Sequence, residues 1–220
     1  MSQARGFLGS SIGRKVIMAV TGAILFGFVL AHMLGNLQVY LGPEAMNHYA
    51  AFLRQVLHGA GLWIARSVLL VSVVLHIWSA TSLTLSSRAA RSIGYRERRW
   101  KESTYASRTM RWSGVIILLF VIYHLLHFTT GTVHPSFIEG DVYHNFVAGF
   151  RSVPVSVFYI AAMVLLGLHL RHGFWSMFQT LGVSHPRYMR WAHAGSWVFA
   201  ILIVVGNISF PVAVLAGAVK

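Results

Sequence analysis

The stretch from Trp112 to Thr132, WSGVIILLFVIYHLLHFTTGT, holds no charged residue and has the length that decides the fold. A helix rises about 1.5 Å per residue, so roughly 20 apolar residues cross the hydrocarbon of a bilayer. Yet His124 and His127 lie within it, and an imidazole in hydrocarbon is costly enough to suggest a function. Working outward, four other stretches share this length, giving spans at about residues 16–40, 62–85, 112–132, 153–178 and 191–215. The expectation is an all-α membrane protein, a single transmembrane domain over residues 1–220 built as a five-helix bundle. The first run is too long for a signal-peptide core, lacks a small-x-small cleavage site and carries His32 and Asn36, so it reads as a retained span.

Composition agrees. The 220 residues are 56% hydrophobic and 10% charged, with a mean hydropathy of +0.63, against about a quarter charged residues in soluble domains. Cysteine is absent, which excludes disulfides, thiolate-ligated clusters and covalently attached haem. Lys and Arg total 18 against five acids, but they cluster between apolar runs and therefore signal topology; no nucleic-acid partner is expected. Arg5, Arg14 and Lys15, then Arg88, Arg91, Arg96, Arg98, Arg99, Lys101, Arg108 and Arg111, then Arg187 and Arg190 fall on one side of a five-span chain. The opposite connections set Arg54 and Arg151 beside Glu44, Glu139 and Asp141. The amino terminus is thus expected in the cytoplasm and Lys220 outside. Trp63, Trp100, Trp112 and Trp191 fall near span ends, where indoles favour the interface. Between Pro43 and Gly61, Met46, Tyr49, Phe52, Leu53 and Val56 recur at helical spacing, predicting a short surface helix. No internal repeat stands out.

Six of the twelve histidines lie well inside the predicted spans: His32 in the first, His76 in the second, His124 and His127 in the third, His169 and His172 in the fourth, while the fifth has only His193 at its very start. A lone intramembrane His commonly hydrogen-bonds a neighbouring helix. One in each of four successive spans is instead what two bis-His haems require. Counted at about 1.5 Å per residue from the outer loops, His32 and His124 lie roughly 10–15 Å deep, while His76 and His169 lie roughly 22 Å deep. Spans one and three would therefore share an outer haem, and spans two and four an inner one. His127 follows His124 by three residues and His172 follows His169 by three, so either member of each pair could be the ligand. Arg171 could meet haem propionates or snorkel to headgroups. Gly22, Gly27, Gly35, Gly114, Gly167 and Gly173 could admit a flat macrocycle or simply allow close helix packing. His48 and His58, near the outer surface, could take protons from a quinol.

The segments Ser11-Ile-Gly-Arg-Lys-Val-Ile-Met-Ala-Val-Thr-Gly, Ala31-His-Met-Leu-Gly-Asn, Tyr123-His-Leu-Leu-His-Phe-Thr-Thr-Gly-Thr-Val-His-Pro and Gly167-Leu-His-Leu-Arg-His-Gly-Phe-Trp-Ser resemble the single-chain dihaem cytochrome b (b558-type) anchor subunit of bacterial succinate dehydrogenases and fumarate reductases. The likeness runs over nearly the whole chain. It implies two haem b held by the first four helices, with His32 and His124 on the distal iron and His76 and His169 on the proximal one. It also implies that His124 is a better ligand than His127, which is left for the quinone or a proton. Some members have a Glu where Gly167 stands here, so a transmembrane proton path through that position is not expected.

The resemblance further implies a membrane subunit of a succinate:quinone oxidoreductase in the bacterial inner membrane, with no succinate-oxidising activity of its own. A flavoprotein and an iron–sulfur subunit would dock on the cytoplasmic face, where the basic second connection could meet either acidic protein or anionic lipid. Electrons would reach menaquinone or ubiquinone, and complexes could assemble further. Two other readings remain at this stage: the dihaem anchor of a hydrogenase or formate dehydrogenase, and a transporter or proton channel that uses His as a relay.

Overall fold

Local chemistry fixes where the helices begin. Ser10 accepts from the Gly13 amide at 2.9 Å and caps α1, Ser11–Asn36. Prolines open α2, Pro43–Gln55, and α7, Pro186–Leu215, and one stands in the first turn of α6, Val153–Thr180; at such positions the missing N–H costs nothing. Asp141 caps α5, Val142–Phe150, while α3 runs Ala60–Ala89 and α4 runs Tyr105–Phe128. The structure is a computed structural model that describes residues 6–90 and 105–220. Among them every regular element is helical, and five helical runs are long and apolar enough to cross a membrane.

The bounds refine the expected spans. The first helix starts at Ser11 because its cap lies there, and its last turn tightens into a 3-10 turn over Leu37–Leu41. The fourth ends at Phe128, where the Thr129 and Thr130 amides both return to the Leu125 carbonyl and Gly131 takes a φ of +73°. The expected surface helix is α2. It stops at Leu57 and His58, both at φ values above +50°, and this break separates it from the crossing helix α3.

α1 packs on α3, and α4 packs on α6, which also packs on α7. α1 touches α6 and α7, whereas α3 scarcely meets α4 among the described residues, so two helix pairs face each other across a slot. Apolar side chains such as Leu70 and Val205 point outward, and serines such as Ser72, Ser79 and Ser196 lie inside. That inversion suits a hydrocarbon solvent, in which small residues let helices approach. Trp63, Trp112 and Trp191 are exposed near helix ends, as expected of interfacial indoles.

The helix starts of α1 and α4 share a face with the ends of α3 and α6, here called the near face; the opposite is the far face. Arg14 donates there to Ser82 Oγ at 2.6 Å and Ser86 Oγ at 2.9 Å, tying α1 to α3. Arg5, Arg91, Arg96, Arg98, Arg99, Lys101 and Trp100 lie outside the described residues, and of Arg108 only the helical backbone is described.

The far face carries a lid, α5, in a connection for which the sequence pattern predicts no helix. α5 buries Phe146, Val147 and Phe150 between α2, α6 and α7. Asp141 Oδ1 accepts from the His144 amide at 3.0 Å and from Asn47 Nδ2 at 2.9 Å, while Asn47 Oδ1 accepts from the Tyr143 amide. These bonds hold the Asp141 carboxyl below its ordinary range, the His144 amide first and Asn47 next. Asn145 clasps both backbone groups of Ile138, at 2.8 and 2.7 Å.

Candidate functional site

The slot between the helix pairs is bridged by imidazoles at two levels. His32 of α1 and His124 of α4 face each other with ring centroids 5.8 Å apart and planes perpendicular. His76 of α3 and His169 of α6 stand 6.4 Å apart at 61°. Thus His32 meets His124 and His76 meets His169.

The spacing of the levels follows from helix geometry. His76 Nδ1 lies 3.3 Å from Thr21 Oγ1, eleven residues before His32 on α1. His169 Nδ1 lies 3.2 Å from Ser113 Oγ, eleven residues before His124 on α4. Tyr159, which reaches His124, precedes His169 by ten residues on α6. Three helices therefore agree on a separation of about 15 Å. His76 and His169 form the near level, His32 and His124 the far level.

The second imidazole of each i, i+3 pair turns elsewhere. His127 is fully buried beneath the lid, with Nδ1 3.0 Å from the Tyr159 hydroxyl and its ring stacked on His134 at 4.9 Å. A Cβ at Gly149 would come within 2.8 Å of the His127 ring, so glycine is what lets α5 settle there. His127 Nε2 has no hydrogen-bonding partner among the described residues. The hydroxyl of Tyr159 also lies 3.4 Å from His124 Nδ1, so one oxygen sits between both imidazoles of α4. His134 is fixed in turn by donating from Nε2 to the Asn145 carbonyl at 2.8 Å and accepting the Ser136 amide on Nδ1.

His172 packs edge-on against Trp175, 5.2 Å away, and Trp175 packs on His193 at 4.5 Å with the planes tilted by 31°. Arg171 places its guanidinium 3.8 Å from the Trp197 ring centre, so an aromatic of α7 already holds this cation. The six glycines divide by surroundings. Gly35 receives Tyr49 of α2, and Gly167 receives Val204 of α7, both too tightly for a Cβ. Gly22 and Gly114 lie beside His76 and His169, while Gly27 and Gly173 face open space. His48 and His58 are exposed.

A shallow apolar hollow of about 340 Å³ between α6 and α7, lined by Phe174, Tyr188 and Trp191, lies at the near face and apart from the facing imidazoles. Among the described residues, no three His, Asp or Glu converge as for a polydentate metal site. What the slot offers is two pairs of facing imidazole rings in an apolar setting. Sequence reasoning overlooked Tyr159, Thr21, Ser113 and the lid; only Asp141 ahead of Val142, Phe146 and Phe150 at helical spacing could have signalled α5.

The match to known proteins bears on half of this arrangement directly. Residues 87–208 match the family model of the succinate dehydrogenase/fumarate reductase transmembrane subunit, a region that holds His124, Tyr159 and His169. Neither a curated protein nor a solved structure matches the chain. With more than half its length matched and five membrane-length helices, the chain belongs to the succinate dehydrogenase/fumarate reductase transmembrane subunit family, the membrane anchors of those complexes.

Proposed function

We propose that the chain is the dihaem cytochrome b anchor of a succinate:quinone oxidoreductase, with His76 and His169 holding the proximal haem and His32 and His124 the distal one. The observation that carries this reading is the pair of facing imidazoles at two levels. Imidazole nitrogen binds a metal ion at about 2.0–2.1 Å, so two rings on opposite sides of one ion would have centroids roughly 6–6.5 Å apart. The 6.4 Å separation lies within that range, and the 5.8 Å separation is a few tenths of an ångström short of it, close enough for small side-chain shifts to admit the ion. The slot between helix pairs and the open space at Gly27 and Gly173 suit a flat macrocycle.

Haem b supplies one-electron transfer when bound, and one at each level would give the bundle a route between an iron–sulfur partner and a membrane quinone. The chain's own residues do the rest. Its apolar helices exclude water, and its four imidazoles set iron ligation and therefore potential. His127, fully buried with a free ring nitrogen, is the group placed to meet a quinone oxygen or carry a proton beneath the lid. The arginine-rich near face belongs on the cytoplasmic side of a bacterial inner membrane, where the flavoprotein and iron–sulfur subunits dock, with Lys220 outside. The whole chain acts as one transmembrane domain, and menaquinone or ubiquinone is its substrate.

The test is a reduced-minus-oxidised absorbance spectrum and haem stoichiometry on the complex extracted in mild detergent. Two haem b per chain are expected. A colourless preparation from iron-replete cells overturns the reading in favour of a His-containing transporter or channel, and a single haem overturns the two-level assignment.

A further inference from the structure

The two hydroxyls at the near level are both committed before they meet an imidazole. Thr21 Oγ1 donates to the Ile17 carbonyl at 2.7 Å, with the Met18 carbonyl at 3.3 Å, and Ser113 Oγ donates to the Met110 carbonyl at 3.0 Å. A hydroxyl has one hydrogen, and in hydrocarbon the preceding turn's carbonyl is its usual acceptor. What remains on each oxygen is a lone pair. The contacts of 3.3 Å to His76 Nδ1 and 3.2 Å to His169 Nδ1 are then N–H donations from the rings. A neutral imidazole carries one N–H, so the Nε2 of each ring is a bare lone pair.

The arrangement is duplicated. The chain has three hydroxyl–glycine dipeptides, Thr21-Gly22, Ser113-Gly114 and Thr130-Gly131, and the first two are each followed by nine residues and then His. In both, the glycine lies against the Cε1 edge of the same imidazole whose Nδ1 meets the hydroxyl, with Cβ positions 3.4 Å and 3.9 Å from it. In both, the hydroxyl helix packs on the imidazole helix, α1 on α3 and α4 on α6. Eleven residues make about three turns, so each of α1 and α4 presents a hydroxyl at one level and an imidazole at the other from a single stripe.

We infer that Thr21-Gly22 and Ser113-Gly114 are a repeated positioning motif that fixes His76 and His169 as Nδ1–H tautomers, with both Nε2 lone pairs preset to take one iron. This rests on the haem reading above. A ligand imidazole whose second N–H is accepted by a neighbour is held in orientation and made more basic, which lowers the potential of the metal it binds. Thr21 and Ser113 act through the ligands and touch no reacting atom. The far level has no counterpart: His32 meets no such hydroxyl among the described residues, and the hydroxyl near His124 is shared with His127.

The experiment is redox titration of the haems in the intact complex, for Thr21→Val, Ser113→Ala and the double variant, with Thr21→Ser and Ser113→Thr as rescues. His169→Leu identifies which step belongs to the near haem. We expect the near-haem potential to rise in each single variant and further in the double, its haem affinity to fall about 10-fold, and the far-haem step to stay put. The rescues restore both quantities. An unchanged near-haem potential in the single variants overturns the motif while leaving the haem assignment intact. A parent complex without haem fails the functional reading instead.

Discussion

The near and far levels are built from the same pair of imidazoles and differ in what stands behind them. At the near level, each ring leans on a hydroxyl whose hydrogen is spent on its own backbone, so the chain of bonds ends there. At the far level, Tyr159 lies between His124 and His127 with no backbone partner among the described residues, so its hydrogen is free to join one imidazole to the other. The near level is closed off by backbone carbonyls. The far level opens onto a buried ring with an unused nitrogen, beneath a lid tied down by Asp141 and Asn145. An electron relay needs only the first kind of site; a place where protons accompany electrons needs the second.

Removing the ligand imidazoles should separate the two levels most visibly. His169→Leu or His76→Leu should lose the near haem and about half the chromophore, and His124→Leu should lose the other half. His127→Leu should keep both, because its ring faces the lid rather than His32. Loss of haem on changing His127 but not His124 would overturn the third-span assignment.

Next in size is Gly167→Ala. A Cβ there runs into Val204, so α6 and α7 must separate, and the detergent melting temperature should fall by several degrees. An unaltered melting temperature would show that α7 has room to give. The same change at Gly173, where nothing lies within 4 Å, should leave stability alone.

Tyr159→Phe sharpens the contrast further. It leaves His127 without its partner in a buried setting, at a cost of about 1–3 kcal/mol. Haem content should hold while only the far-haem potential moves, read by redox titration. A shift confined to the near haem would refute the division between levels.

The smallest effect concerns the lid. The Asp141 carboxyl sits below its ordinary value because the folded state bonds its charged form, so its contribution is complete above about pH 4 and fades as pH falls through the lowered value. The protection of α5 amides, taken as the exchange rate relative to the intrinsic rate at each pH, should fall below about pH 4 in the parent, and Asp141→Asn should show that lower protection at neutral pH as well. Equal protection in both proteins at about pH 7 would show that the clasp by Asn145 suffices.

Much of this was legible from the residues. Span number and order followed from apolar length, and the helix ends moved by up to about seven residues, as at Ser11, where a cap stands, and at Phe128, just before a glycine turn. That the imidazoles of spans one and three, and those of spans two and four, lie at matching depths and meet was also legible, since alternating direction leaves few ways to match depths. What stayed hidden were contacts between helices. Thr21 and Ser113 read as ordinary small residues in hydrocarbon, and their repeat spacing means nothing until α1 lies against α3 and α4 against α6.

The chain's apolar runs and basic clusters by themselves determined that it spans a membrane five times with imidazoles inside, because solvent transfer and backbone satisfaction act on each segment separately. Tertiary structure alone decided which imidazole of each i, i+3 pair faces across the slot, which glycines pack and which stand open, and that residues 142–150 fold into a lid. Those choices depend on helix rotation and neighbours, and a one-dimensional pattern fixes a residue's face only relative to its own axis.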